Sequence, residues 1–405
     1  MQIGWIDFSK EDRDKVFSVM SLLYEPGTVD ELGVGLVRDG FANYFFPGTS
    51  TVQKRAKYFL IVPYILQEAV VGQYGKTIPE IIQRIDDEEK DCGMRLYKKY
   101  SGTASGVGII GSRVLPDKWV SRKPSSIYWN GICTYGISVQ KNLSIPDVVK
   151  LSVYLRQKNE ERTLGNRDEK AEEGKKDDQD AGRQDAFRFF DLPNGFTNTW
   201  KDTLDIELTN EEAVFLKNKI LNNVPDTLLA WLLKNEVNVS SYDSFEALTA
   251  DVQDKVPNEM KHMMRLACSF NRLAYAARVR YNVILSDGKD EQTNRKWAAI
   301  KQDVSRVTEV DLDAVMISLH LTNQKLRRFL FDFKTALIAG DENQIDEIIR
   351  NREINIKTEK LAKLCHKENY EGKWIGGEYL DYRFSDAKRL IHDIYTGVGG
   401  SHVSN

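Results

Sequence analysis

The residues with the clearest capacity for chemistry follow a proline–glycine pair. Pro47-Gly48 leads into Thr49, Ser50 and Thr51, and then into Lys54, Arg55 and Lys57. Three hydroxyls at a helix start, where backbone amides point outward, attract phosphate, and cations one turn further in add charge. Arg38, on the preceding segment, can fold back onto the same place. This set predicts a phosphate or nucleic-acid-backbone contact. Ordinary helix capping with a solvated basic face explains the same letters. A second set places Arg113, Lys118, Arg122 and Lys123 around Trp119, with Tyr128 and Trp129 following. Cations interleaved with aromatics suit nucleic acid by charge and stacking. Trp and Tyr at helical spacing also build cores.

Other motifs are weaker. Gly106, Gly108 and Gly111 satisfy GxGxxG. A dinucleotide site needs a strand before that run and a helix after it. Here a charged helical pattern precedes it and Pro116 soon follows, so a turn or packing role is expected. His262, His320, His366, His392 and His402 form no metal motif, and Cys92, Cys133, Cys268 and Cys365 form no CxxC pair. No metal and no cofactor is expected, and the thiols read as reduced. An acid–base set is conceivable from Asp7, Asp39 and Arg38, or from Asp381, Arg383 and His392, but no catalytic residue is identified. A salt-bridged closure explains the second group as well.

The bulk numbers bound these readings. With 405 residues, two or three domains are expected, and 41% hydrophobic residues supply a sizeable core. A net charge of −3 argues against a non-specific DNA coat and leaves room for a local basic patch. The first residues lack a secretory pattern. The longest apolar run, Tyr58 to Leu66, contains Pro63 and is far shorter than the ~20 residues a bilayer requires. A cytoplasmic protein without membrane contact is expected.

The elements that must position these residues are helical. Ser9 caps a helix with Val16, Phe17, Met20 and Leu23 inside, closed by Pro26-Gly27. Gly35 to Phe46 forms a second, and a third is expected to start at Thr49-Ser50-Thr51 and run through Phe59 to a kink at Pro63. Thr77 with Glu80, and Thr209 with Glu212, are capping boxes. Ser125 or Ser126 caps a helix ending at Gly136, which pairs loosely with one from Ser144 as a helix-turn-helix variant. Met260 to Asn282, Trp297 to Val307, Asp311 to Leu319, Thr322 to Ile338 and Asp341 to Ile349 have helical spacing, and Ser385 caps a last helix. Ser138 to Gln140 and Asn355 to Lys357 are the short strand candidates. The expectation is a mainly α, multi-helical chain with minor β elements. It has an N-terminal domain 1–156, a charged linker 157–186 that cannot bury its residues, and a C-terminal domain 187–405.

Ile3–Ser9, Val29–Tyr64, Gly108–Arg113 and Pro124–Ile137 resemble an uncharacterised bacterial family, domain of unknown function 6361. Leu208–Ile220, Asn271–Leu285 and Trp374–Gly397 resemble its C-terminal blocks. The resemblance carries no catalytic residues. It implies a genomic setting beside helicases and phospholipase D-like nucleases in defence clusters. The expected function is a non-enzymatic, nucleic-acid-associated subunit or adaptor of a bacterial antiviral system, with helicase or nuclease partners and DNA or RNA. A nuclease or other hydrolase with an unfamiliar site, and a sensor of a phage protein, are the alternatives.

Overall fold

Among the described residues every regular element is helical, and the one β-type feature is a bridge between Ser138 and Phe190. The computed structural model describes residues 30–72, 74–75, 77–165, 188–370, 372–376 and 378–399. The helix expected at Ser9, the candidate Asp7 and most of the charged stretch lie outside them. None of the described helices is long and apolar enough to cross a membrane. Contacts gather the chain into two units, neither continuous in sequence. The first joins Thr249–Tyr382 to the described residues up to Phe41; the second joins Ala42–Leu248 to the residues from Arg383 onward. By number, the charged stretch falls inside the second.

Helix α1 covers Gly35–Phe45. The second unit is built on α2 (Tyr58–Val70), whose side chains are buried on every face except at Gln67. A helix apolar all round has to lie inside, and each large side chain there contributes roughly 1.5–3 kcal/mol. On it pack α3 (Ile78–Tyr100), α4 (Pro124–Thr134) and α5 (Ile145–Gly165). Tyr128 of α4 sits against Tyr58 and Phe59, ring centroids 5.3 and 4.9 Å away. The segment after residue 188 returns to these helices. Val139 N–H donates to Phe189 O and Asp191 N–H to Ile137 O, while Trp200 Nε1 and Lys201 Nζ both reach Glu68 at 2.7 Å. Helices α6 (Asn210–Asn223), α7 (Leu228–Lys234) and α8 (Phe245–Val252) follow. The last helix packs closely on α6.

In the first unit, α9 (Asn258–Leu285) is the axis, buried over most of its length. Its alanines 267, 274, 276 and 277 are all buried and let neighbours approach closely. Around it lie α10 (Glu291–Gln302), α11 (Val304–Val307), α12 (Leu312–Ser318), α13 (Gln324–Ala339) and α14 (Glu342–Lys357). The chain before α1 is tied in by Arg352 Nε, which donates to Leu32 O at 2.8 Å, and by Lys357 and Lys363 on Glu31. The final helix, α15 (Phe384–Val398), belongs to the second unit.

Both predicted capping boxes form, at Thr77/Glu80 and Thr209/Glu212. Four local expectations need correction. Helix α2 starts at Tyr58 with Lys57 at its N-cap, so Thr49, Ser50 and Thr51 are not at a helix start. Helix α4 is capped by Lys123 without a side-chain bond, because Pro124 occupies the first turn. Arg383, in the left-handed conformation, precedes α15 where Ser385 was expected to cap it. Asn355 to Lys357 are the tail of α14, not a strand.

Candidate functional site

The segment Pro47 to Lys57 is a series of turns, most of whose polar groups meet partners inside the second unit; the buried Ser50 hydroxyl has none among the described residues. Thr49 Oγ1, buried, donates to Phe46 O at 2.6 Å, and Ser50 N–H donates to Gln53 Oε1 at 3.1 Å. Thr51 is exposed, and its carbonyl accepts from Lys54 Nζ at 2.5 Å. The amides of Lys54 and Arg55 both donate to the Tyr128 hydroxyl, at 3.0 and 3.2 Å, and that hydroxyl donates to Arg55 O.

The cations are paired as well. Lys54 meets Asp386 at 3.1 Å, Arg55 meets Asp393 at 3.1 Å, and Lys57 meets Glu212 at 2.5 Å. Asp393 also accepts the Ala56 amide at 2.7 Å. The anions drawn by this segment are thus two carboxylates of α15 and one of α6. Burial raises the Asp393 carboxyl above its ordinary range, against the opposing pull of Arg55 and the Ala56 amide. Gly108, φ +92°, lets the glycine-rich turn close on this place; a Cβ there would lie 2.9 Å from Lys54 Cβ and 3.0 Å from Arg55 Cγ. The GxGxxG run is therefore packing: it follows α3 and a short 3-10 turn, Ala104–Gly106, that ends on its first glycine.

The remaining candidates do not converge. Arg38, in the first unit, pairs with its neighbour Asp39 at 3.0 Å. Lys123 pairs with Asp86. Arg113 and Arg122 are exposed. Tyr128 is fully buried, and Trp129 donates from Nε1 to Leu143 O and packs edge-on to Phe190. The basic and aromatic run from Arg113 to Trp129 thus turns Tyr128 and Trp129 inward, while Trp119 is half-buried beside Gly93 and Gly111. His392 and Asp393 are adjacent on α15, but Asp393 is held by Arg55. Arg383 donates to Asn43 Oδ1 and Thr49 O. Among the described residues no group of three His, Cys, Asp or Glu side chains is placed to hold a metal ion.

Blocks around Val29–Tyr64, Gly108–Arg113 and Pro124–Ile137 thus meet through Tyr58, Tyr128 and Gly108. Residues 1–146 match the family of unknown function DUF6361. The match ends there, so the resemblance of the later blocks is not part of it. No curated protein and no solved structure is significantly similar to the chain. Within the DUF6361 stretch, the described part of the N-terminal block supplies the Pro47–Lys57 turns and α2, and the Pro124 block supplies the tyrosine that holds those turns.

A site that sequence reasoning missed lies in the first unit. A groove of about 950 Å³ runs beside the C-terminal end of α9, the start of α10 and the loop after α14. Two asparagines of α9 fix that loop by forked amide pairs. Asn282 donates to Ile375 O at 2.7 Å and accepts from Ile375 N at 2.8 Å; Asn271 does the same with Leu380, at 3.0 and 2.6 Å. Arg278 adds a bond to Glu378 O. Tyr379 stacks on Tyr275 of α9, centroids 4.3 Å apart, and Trp374, 37% exposed, carries Lys296 over its ring at 4.5 Å. Lys289, Lys296, Lys367 and Lys373 line the groove together with Asp287, Asp290, Glu368 and Glu378. Lys367 meets Asp287 at 2.6 Å and Lys296 meets Glu378 at 2.7 Å. The available signal was the run Lys367, Tyr370, Lys373, Trp374, which has the same basic–aromatic interleaving as Arg113 to Trp129.

Proposed function

We propose that this chain is a non-enzymatic subunit or adaptor of a bacterial antiviral defence system, working by holding a segment of a partner protein in the groove of the first unit. One observation carries the reading: the groove has an aromatic rim and balanced charge, four lysines facing four carboxylates. A phosphate backbone is attracted by a surplus of cations, and here the carboxylates cancel it. Alternating charge beside exposed Trp and Tyr is what a polypeptide interface offers. The cations of the Pro47–Lys57 segment are paired internally, which removes the main phosphate-contact candidate. Association with nucleic acid then comes through the partner, a helicase or nuclease in the setting that the family likeness suggests.

Co-expression with the helicase-like and nuclease-like neighbours of its gene, followed by purification through a tag on this chain, tests the proposal. A partner should copurify, and Trp374→Ala should weaken its binding by about 30-fold, as for an aromatic interface anchor. Binding of labelled DNA or RNA by the isolated chain with a steep salt slope, or its hydrolysis with a divalent metal, would replace this reading with a nucleic-acid or nuclease one.

A further inference from the structure

A cavity of about 350 Å³ in the second unit takes no part in the groove described above. Lys57 and Glu212 form its floor, Tyr64, Phe196 and Trp200 its walls, and Glu211 lines its edge. The ring of Tyr64 lies 4.8 Å from Phe196 and 5.2 Å from Trp200. The space is at the small end of ligand sites and matches one flat ring system better than a chain.

The floor has hydrogen-bonding capacity left over. Lys57 carries three N–H donors, and its side chain is 5% exposed. One donor goes to Glu212; the others meet no acceptor among the described residues. Buried donors of this kind call for an acceptor. The Glu212 carboxylate has about four lone-pair positions, and Lys57, the Tyr64 hydroxyl and the Thr209 amide occupy three of them. An acceptor position therefore remains beside the open donors. Lys57 and Glu212 cancel in charge, and Glu211 adds a further carboxylate, so an anionic guest is disfavoured. A neutral ring with adjacent carbonyl and N–H groups matches: the carbonyl accepts from Lys57, the N–H donates to Glu212, and the flat face lies against Phe196.

We propose that this cavity binds a nucleobase of the lactam type, read by the Lys57–Glu212 pair. The proposal stands independently of the adaptor reading. Calorimetric titration of the full chain with uridine, inosine, 3-methyluridine and 1-methylinosine tests it. Uridine and inosine carry the lactam edge and should bind saturably. The two methylated nucleosides keep the carbonyl and lose the N–H, and should bind at least tenfold more weakly, since Glu212 is left without its donor. Phe196→Ala should weaken uridine and inosine at least tenfold with an unchanged circular dichroism spectrum. Thr197→Trp, an exposed substitution that fills the mouth, should do the same if Phe196→Ala fails to fold. Equal binding of all four nucleosides, no saturable heat at millimolar concentration, or undiminished affinity in the folded variant would overturn the assignment.

Discussion

Removing the carboxylate of Asp393 should unlock the turn that carries Arg55. In the native chain Asp393 takes the Arg55 guanidinium at 3.1 Å and the Ala56 amide at 2.7 Å. The side chains are 13% and 15% exposed, so solvent screens the pair little. Deleting one member of a buried pair costs about 3–5 kcal/mol, because the other charge stays buried. Arg55 then retains Ser105 O, at 2.8 Å, as a neutral acceptor, and the Ala56 amide loses its acceptor. Asp393→Ala should therefore destabilise the chain by about 4 kcal/mol. Asp393→Asn keeps an oxygen for the amide and loses only the charge, for a cost of about 2 kcal/mol, the range of a hydrogen bond to a charged group. Arg55→Leu combined with Asp393→Ala should cost about 2 kcal/mol less than the two single changes summed. Urea unfolding followed by circular dichroism measures the native chain and the four variants. A coupling below about 0.5 kcal/mol would refute the claim that Arg55 serves the fold. So would a nucleic-acid affinity that collapses with Arg55→Leu while stability holds.

Three further outcomes follow from the packing. Gly131→Ala places a Cβ 2.5 Å from the carbonyl oxygen of Gly48 and 2.5 Å from the Phe59 ring, so melting should fall by several degrees, a cost of about 2–3 kcal/mol. Burial pushes the Glu89 carboxyl up to about 7, against the pull of the Ser125 amide and hydroxyl. Its folded value lies above the unfolded one, so the Glu89 contribution to stability is fully present below about pH 4.5 and falls by about 3 kcal/mol as pH rises to 7, and Glu89→Gln should remove that contribution from the urea-midpoint profile between pH 4.5 and 8. With a thiol reagent on the native protein, exposed Cys365 should react first, and Cys92, whose thiol is buried and raised, only after unfolding.

What the sequence revealed was local. The capping boxes at Thr77 and Thr209 need only four consecutive residues, and both form. The 28-residue α9 announced itself through apolar spacing over several turns. The failure at Thr49 has the opposite cause. Its hydroxyls and cations look like a helix start, but the Arg55 and Ala56 amides that would continue one are held by Tyr128 and Asp393, residues 73 and 337 positions away. Tertiary partners at such distances leave no mark on local pattern. The same limit applied to the aromatics. Tyr128 and Trp374 both stand among cations in the sequence, and only packing determines that the first is buried and the second exposed. The groove was missed for that reason: its rim depends on Asn271 and Asn282, which look like ordinary polar residues on an apolar helix.

The bond between Ala56 and Asp393 also sets an order in time. During synthesis the turn at residues 54–57 leaves the ribosome long before α15 exists. Until then the Ala56 amide has only water or a chaperone to satisfy it, and Arg55 lacks its carboxylate. A polypeptide that stops anywhere before residue 393 keeps this turn unlatched, and long-range closures of this kind slow folding. Completion of the second unit is thereby tied to synthesis of α15, so copies that stop before residue 393 should differ from copies that contain it in protease resistance at the Pro47–Lys57 turn.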